Sequence, residues 1–110
     1  MADRSILVVD DNEINRGILG EIFKDKYHIL EAGNGLEAIK MMEHYGGNLA
    51  AVLLDIVMPE MDGYTVLEEM AKRDNLNETI PVLMITADTS TEAERTSYQK
   101  GAADVIHKPF

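Results

Sequence analysis

The sequence predicts an α/β fold, with a doubly wound parallel sheet of five strands in one domain. Short apolar runs alternate along the chain with segments of helical periodicity. The run over residues 50–54 contains no polar residue, which is typical of a strand buried on both faces of a parallel sheet. The 110 residues, 45% of them hydrophobic, suffice for one domain with its own core. Because crossovers between parallel strands are right-handed, helices are expected on both faces.

The first strand and helix are predicted near the N-terminus. Ser5–Val9 has the character of a strand, and Asn12 is placed to cap the helix that follows, since its side chain can accept a backbone N–H. Apolar residues recur in this helix at helical spacing. This apolar stripe is predicted to face the core, and it consists of Ile14, Ile18, Leu19, Ile22 and Phe23.

A second strand and helix follow. Residues 27–32 are less apolar, which indicates an edge strand. Asn34 and Glu37 are spaced as a capping box at the start of the next helix, and Gly46 begins the segment that ends it. The predicted apolar side of this helix consists of Leu36, Ile39 and Met42.

The third strand, over residues 50–54, leads into a loop and a third helix. Asp62 is the predicted cap, and Gly63 is expected to provide a backbone conformation that other residues resist. A polar connection over residues 75–79 leads to the fourth strand, over residues 82–85. The predicted apolar side of the third helix is Val66, Leu67, Met70 and Ala71.

The C-terminal part is predicted to hold a fourth helix and a fifth strand, Asp104–His107. Thr89 and Glu92 are spaced as another capping box. The fourth helix has few large apolar residues, mainly Ala93 and Tyr98, so we expect it to be weakly packed and able to shift.

The charge of the chain restricts its partners. The formal net charge is −10 and the pI about 4.6, which disfavours direct binding to nucleic acid or an anionic membrane. The absence of cysteine excludes disulfides and thiolate metal sites. No apolar stretch approaches the roughly 20 residues that span a bilayer, and residues 1–5 lack the pattern of a signal peptide. We therefore expect a cytoplasmic location.

Acidic side chains follow two of the predicted strands. Asp10 and Asp11 follow the first strand, and Asp55 follows the third. Because the carboxyl ends of parallel strands share one edge of the sheet, the three carboxylates are predicted to form one pocket. Two unit charges 4 Å apart repel by roughly 4 kcal/mol at an effective dielectric of about 20. A divalent cation removes this repulsion, and ligands that are all oxygen favour Mg²⁺ or Mn²⁺.

The same edge of the sheet carries groups suited to phosphoryl transfer. A carboxylate such as that of Asp55 can accept a phosphoryl group as an acyl phosphate. Thr86 follows the fourth predicted strand with a hydroxyl group, and Lys108 follows the fifth with a mobile positive charge. Both are predicted to converge on the carboxylates.

The chain resembles the receiver domain of two-component response regulators. The resemblance implies a flavodoxin-like strand order of 2-1-3-4-5, a phosphorylation-dependent signalling switch, and a single receiver domain over residues 1–110. It rests on four segments in matching order and spacing: Ile6-Leu7-Val8-Val9-Asp10-Asp11, Leu53-Leu54-Asp55-Ile56-Val57-Met58-Pro59 with Asp62-Gly63, Ile85-Thr86-Ala87, and Lys108-Pro109-Phe110.

The resemblance also implies a phosphoacceptor and a set of metal ligands. Asp55 is expected to accept a phosphoryl group from a histidine kinase or a histidine phosphotransfer protein. Mg²⁺, or Mn²⁺ in its place, would bind Asp11, Asp55 and the carbonyl of Val57. Asp10 would act through a water molecule.

Other positions of the resemblance concern the phosphoryl oxygens. Thr86, the backbone amide of Ala87 and Lys108 are expected to hold them. The peptide bond between Lys108 and Pro109 resembles one that is usually cis in the family, a geometry that bonds preceding proline permit at modest cost.

Two features depart from the family pattern. Val105 stands where the family often has Tyr or Phe, so the usual coupling of an aromatic ring to Thr86 cannot operate there. The final helix of the fold is absent from this chain, which we expect to be an excised fragment or to continue beyond Phe110. We expect apolar surface along Val105 and Ile106 to be exposed and to favour dimerisation through the last strand and the fourth helix.

Three other functions remain open. The first is an Asp-dependent phosphatase or phosphotransferase, the second is a receiver-like docking module that is not phosphorylated, and the third is a flavin carrier. Val57 counts against the first, because such enzymes commonly have a second Asp two residues after the nucleophile. Retention of Asp55, Thr86 and Lys108 counts against the second. The third lacks a loop for the flavin phosphate after the first strand. The sequence does not identify the cognate kinase or the output domain.

Overall fold

The computed structural model describes residues 4–73, 76, 80–88 and 90–108. Four sequence predictions fall wholly or mostly outside these ranges: the cap at Thr89, the connection over residues 75–79, the bond between Lys108 and Pro109, and the role of Phe110 in the last motif. The described residues form five strands, β1 (Ser5–Val9), β2 (His28–Ala32), β3 (Leu49–Asp55), β4 (Val82–Thr86) and β5 (Asp104–His107).

Within the described ranges, four α-helices connect the strands, together with one 3₁₀ turn over Gly46–Asn48. They are α1 (Glu13–Phe23), α2 (Gly35–Tyr45), α3 (Gly63–Ala71) and α4 (Thr91–Gln99). All paired strands are parallel, in the order β2-β1-β3-β4-β5. The predicted fold class and strand order are therefore confirmed, and β2 lies at the edge as its composition indicated.

The register of the strands aligns their carboxyl ends. Val9, the last residue of β1, pairs with Leu54 of β3. Asp55 pairs with Ile85 of β4, and Thr86 pairs with His107 of β5. The residues at or just after these ends therefore share one edge of the sheet.

The core has two layers, one on each face of the sheet. Helices α2 and α3 cover one face with buried side chains such as Met42, Val66 and Met70, which pack against Leu7 and Leu54. Helix α1 covers the other face, where its buried residue Leu19 belongs to a cluster with Ile6, Val8, Leu53 and Ile85. The alternation of side chains in β1 and β3 between these clusters explains why both strands are apolar throughout.

Polar side chains cap the helices. Asn12, Asn34 and Asp62 accept hydrogen bonds from backbone N–H groups three residues later, as predicted. Glu37 bonds to the amide of Gly33 rather than that of Asn34, so the predicted capping box is only half formed. In α4 the capping side chain is that of Ser90, which accepts from the amide of Ala93.

The predicted core faces of three helices were partly wrong. Ile14, Ile18 and Ile22 of α1 are exposed, at 73%, 43% and 56%, because α1 contacts the sheet through Leu19 and the half-buried Phe23. Leu36 in α2 is also exposed, and so is Ala71 in α3. Helical spacing alone predicted an apolar face that is wider than the face each helix buries.

Helix α4 packs against β5 through small residues, since its buried residues are Ala93 and Ser97. Tyr98 is half-exposed, and its hydroxyl donates to Asp104 at 3.1 Å. Val105 and Ile106 are half-buried and pack against the two core clusters, one on each face, so the exposure expected for both is only partial. None of the helices in the described ranges is long and apolar enough to cross a membrane.

Candidate functional site

Three carboxylates meet at the carboxyl edge of the sheet. Asp10 and Asp11 follow the last residue of β1, and Asp55 is the last residue of β3. One carboxylate oxygen from each lies within 4.8 Å of the others. The predicted convergence of these three residues is therefore confirmed, and it follows from the register that places the ends of β1 and β3 side by side.

Asp10 is almost wholly buried, with 1% of its surface exposed. Its Oδ1 accepts a hydrogen bond from the amide of Asn12 at 2.9 Å, and its own amide donates to the carbonyl of Ala32. Its Oδ2 has no hydrogen-bond partner within the described part of the chain, and the nearest cation, Nζ of Lys108, is 3.8 Å away. A buried carboxylate oxygen without a partner is costly, so this atom is suited to an additional ligand.

Asp55 is also buried, and its surroundings disfavour the charged form. Burial and the negative charge of Asp10 raise the pKa of Asp55 to about 6. The ammonium group of Lys108, 3.4 Å from Oδ2, and a backbone hydrogen bond from Val57 oppose this rise. Without a cation, the cluster is therefore electrostatically strained around Asp55.

The cluster fits a small divalent cation. It offers only carboxylate oxygens, which suits Mg²⁺ or Mn²⁺ rather than a metal that prefers nitrogen or sulfur. Oδ2 of Asp10 is buried and has no hydrogen-bond partner among the described residues, whereas Asp11 is exposed and gives the cluster access to water. Val57 lies at the rim with a largely exposed side chain, and its carbonyl stays a predicted ligand.

Lys108 lies with the carboxylates, and Thr86 lies beside them at the end of the next strand. Thr86 is 3% exposed, and its carbonyl accepts from the amide of Lys108 at 2.7 Å, which holds the lysine at this edge. The hydroxyl of Thr86 accepts from the amide of Asp88 at 2.9 Å. Ala87, between Thr86 and Asp88, is exposed.

Gly63 packs directly against the end of β3. Its amide donates to the carbonyl of Ile56 at 2.8 Å, and a Cβ on Gly63 would lie 2.6 Å from the carbonyl oxygen of Asp55. The predicted need for an unusual backbone conformation was wrong, because the φ of Gly63 is not positive. The glycine is required because no room exists for a side chain.

Two features of the site were not predicted from the sequence. Glu60 has a φ of 68°, and the amide of Met61 donates to the carbonyl of Pro59 across it, which makes a tight γ-turn in the loop between β3 and α3. Arg16 of α1 donates to the carbonyl of Asp10 at 2.7 Å. The sequence hinted at this role of Arg16 only through its positive charge, which lies one helical turn after Asn12, the residue that caps α1.

Comparison with known proteins identifies the family. The family model of the response regulator receiver domain matches residues 6–110. This chain belongs to that family. Receiver domains are components of two-component systems, and the acidic cluster of Asp10, Asp11 and Asp55 lies within the matched range of this one.

Individual relatives support the assignment to receiver domains. A probable cyclic di-GMP phosphodiesterase of Vibrio cholerae is 37% identical over 105 residues, which are 96% of this receiver domain but 23% of that protein. Chemotaxis protein CheY of Halobacterium salinarum is 35% identical over 108 residues, covering 97% of this chain and 86% of that protein. The chain spans less than half the length of the first four relatives it matches.

A solved structure supports the fold. The crystal structure of the CheX-CheY-BeF3-Mg+2 complex from Borrelia burgdorferi contains a chain that is 32% identical, with a TM-score of 0.88. The match covers 97% of this receiver domain and 79% of that chain.

Proposed function

We propose that this receiver domain is a signalling switch in which Asp55 accepts a phosphoryl group from a histidine kinase or a histidine phosphotransfer protein. The observation that carries the proposal is the position of Asp55: a buried carboxylate at a strand end, beside two other carboxylates and 3.4 Å from the ammonium group of Lys108. A carboxylate that only caps a helix or lies on the surface does not require burial beside other carboxylates and a lysine.

The proposed reaction joins Asp55 to phosphorus. A carboxylate oxygen of Asp55 forms the new bond to phosphorus, the bond from phosphorus to the donor's imidazole nitrogen breaks, and that nitrogen keeps the electron pair. Lys108 then balances charge on the phosphoryl oxygens, and the hydroxyl of Thr86 and the amide of Ala87 donate hydrogen bonds to them. For Thr86 to do so, its hydroxyl proton must turn toward the phosphoryl group while its oxygen continues to accept the hydrogen bond from the amide of Asp88.

The proposed metal site comprises Asp10, Asp11, Asp55 and the backbone carbonyl of Val57, with Mg²⁺ as the cation and Mn²⁺ as a substitute. When bound, the cation neutralises negative charge on the carboxylates and on the incoming phosphoryl group. The buried Oδ2 of Asp10, which has no partner in the described ranges, and the all-oxygen cluster support this proposal. The related chain from Borrelia burgdorferi was crystallised in a complex named with Mg+2.

The proposed output is a change of surface near Thr86. The loop after Thr86 leads into α4, and α4 is held by the small residues Ala93 and Ser97, so a change at Thr86 has little packing to overcome. The output domain or partner is left open by the relatives, which include transcriptional regulators, a methylesterase and a histidine kinase. Turnover is restricted to phosphotransfer to Asp55 itself and hydrolysis of the acyl phosphate.

The proposal is tested by phosphorylation with a small donor. Incubation with acetyl phosphate and Mg²⁺ is expected to add one phosphoryl group that is stable to acid and labile to base. Asp55→Asn is expected to abolish this addition in intact-mass measurements, whereas the control Asp25→Asn, in an exposed turn, keeps it. Labelling that persists in Asp55→Asn would exclude Asp55 as the acceptor.

A further inference from the structure

Arg16 connects the first helix to the backbone of the acidic cluster. One terminal nitrogen of its guanidinium, Nη1, donates to the carbonyl oxygen of Asp10 at 2.7 Å. Its Nε donates to Oε1 of Glu31 on β2 at 2.9 Å. The side chain is only 17% exposed, although Arg16 lies on a surface helix. Arg16 thus joins α1, β2 and the end of β1.

The carbonyl that Arg16 holds belongs to the peptide unit between Asp10 and Asp11. This unit is planar, so a hydrogen bond to its oxygen fixes the direction in which the chain enters Asp11. Asp10 is also held through its amide, by Ala32, and through Oδ1, by the amide of Asn12. The carboxylate of Asp11, in contrast, makes no hydrogen bond or ion pair within the described residues, and it is exposed. Its position therefore depends on the backbone.

We propose that Arg16 is a positioning residue for the divalent-cation site, which holds the backbone so that the carboxylate of Asp11 stays beside those of Asp10 and Asp55. This inference rests on the proposed function, since it concerns the same cation site. The three carboxylates repel one another, and Asp11 is the member that is free to move away. If Asp11 is held in place before the cation binds, the free-energy cost of ordering it does not reduce the affinity for the cation.

The geometry requires an arginine rather than any cation. The guanidinium is a planar fork that directs one N–H to Glu31 and another to the carbonyl of Asp10 at the same time. A lysine at position 16 keeps the positive charge but has a single nitrogen on a flexible stem. Arg16→Lys therefore separates the effect of charge from the effect of position.

Arg73 provides a matched control within the same protein. It lies two residues after the end of α3, whereas Arg16 lies within α1. Like Arg16, it donates through Nη1 to a backbone carbonyl, that of Glu69, at 2.9 Å, and it pairs with Glu43 of another element at 3.4 Å. It contacts none of the three carboxylates of the cluster. Arg73→Lys thus makes the same chemical change away from the site.

The test is Mg²⁺ binding measured by titration calorimetry on the purified chain. Arg16→Lys is expected to weaken binding about tenfold, as is common for groups that orient metal ligands, whereas Arg73→Lys leaves it unchanged. Glu31→Ala, an exposed position on the edge strand, removes one anchor of Arg16 and is expected to weaken binding by less. Circular dichroism establishes that each variant is folded.

A second readout separates positioning from general damage. In phosphorylation by acetyl phosphate, Arg16→Lys is expected to raise the Mg²⁺ concentration for half-maximal rate by the same factor, with the rate at saturating Mg²⁺ preserved. Wild-type affinity in Arg16→Lys, or equal losses in Arg16→Lys and Arg73→Lys, would overturn the role of Arg16 alone. A wild-type chain that does not bind Mg²⁺ would overturn the proposed metal site, and this inference with it.

Discussion

The ammonium nitrogen of Lys108 lies 3.4 Å from Oδ2 of Asp55, although 53 positions separate the two residues along the chain. Each residue stands at a carboxyl strand end, and the register between β3, β4 and β5 brings them together. The same nitrogen lies 3.8 Å from Oδ2 of Asp10. Lys108 is therefore the cation that opposes the repulsion between these two buried carboxylates in the metal-free protein.

Replacing Lys108 is expected to make Asp55 harder to ionise. Because the charge of Lys108 lowers the pKa of Asp55 while burial and Asp10 raise it, Lys108→Met is expected to bring that pKa above about 6. The carboxyl carbon of Asp55, followed by NMR as a function of pH without metal, measures the change. Lys100→Met, which removes a lysine paired with Glu68, is the control. An Asp55 pKa that is unchanged or lower in Lys108→Met would contradict this electrostatic account.

Neutralising Asp55 is expected to stabilise the metal-free protein in a pH-dependent manner. The folded state raises the pKa of Asp55 from 3.8 to about 6, so it binds the proton more tightly than the unfolded chain does. That contribution to stability is complete below about pH 4 and is lost as the pH rises through about 6. Above pH 6, Asp55→Asn is therefore expected to raise the free energy of unfolding, by at most about 3 kcal/mol.

Urea denaturation at several pH values, in the presence of EDTA, measures this gain. We expect the gain to shrink as the pH falls from 7 toward 4, because the wild-type carboxyl group then becomes neutral as well. Asp25→Asn, in an exposed turn, is expected to show no comparable dependence. A gain from Asp55→Asn that grows toward acid pH has the wrong sign and would refute the prediction.

A side chain at position 63 is expected to disturb the site. In Gly63→Ala the new methyl group would lie 2.6 Å from the carbonyl oxygen of Asp55 and 3.0 Å from Cα of Ile56, so α3 and the end of β3 must separate. We expect a loss of about 1–3 kcal/mol in the free energy of unfolding, measured by urea denaturation. Gly17→Ala is the matched control, since nothing lies within 4 Å of that position in α1, and it is expected to stabilise by about 0.5–1 kcal/mol. Equal stability of Gly63→Ala and wild type would show that the contact is not restrictive.

The backbone at Glu60 stores strain that glycine would relieve. Glu60 is exposed and has a φ of 68°, a conformation that costs side-chain-bearing residues about 1–2 kcal/mol and glycine almost nothing. Glycine gains more entropy on unfolding, which offsets part of this benefit. We therefore expect a net stabilisation of about 0.5–1 kcal/mol for Glu60→Gly. The same change at Glu92, in the first turn of α4, is expected to destabilise. Thermal unfolding measures both, and a loss of stability in Glu60→Gly would rule out the strain.

The sequence was most informative where one physical rule determined the structure. Apolar strands followed by Asp10, Asp11 and Asp55 had to bring these carboxylates to one edge, because parallel strands end on the same side of a sheet. Sequence patterns were least informative about contacts between distant backbone segments. The closeness of Gly63 to Asp55 depends on how α3 packs against β3, which no local pattern encodes.

The helices show the same limit of sequence patterns. Helical spacing correctly placed Leu19 in the core but also assigned Ile14 and Ile18 to it, because spacing defines a stripe and not its width. The role of Arg16 was not predicted because its acceptor is a backbone carbonyl, which every residue possesses. Only the three-dimensional structure shows which carbonyl is within reach.

The most direct measurement of the central claim is to locate the residue that becomes phosphorylated. After incubation with acetyl phosphate and Mg²⁺, borohydride reduces an aspartyl phosphate to homoserine, which tandem mass spectrometry assigns to a position. We predict conversion of Asp55 alone, dependent on Mg²⁺ and abolished by EDTA. Conversion of Asp10 or Asp11 instead, or the absence of any converted aspartate in protein that binds Mg²⁺, would contradict the account.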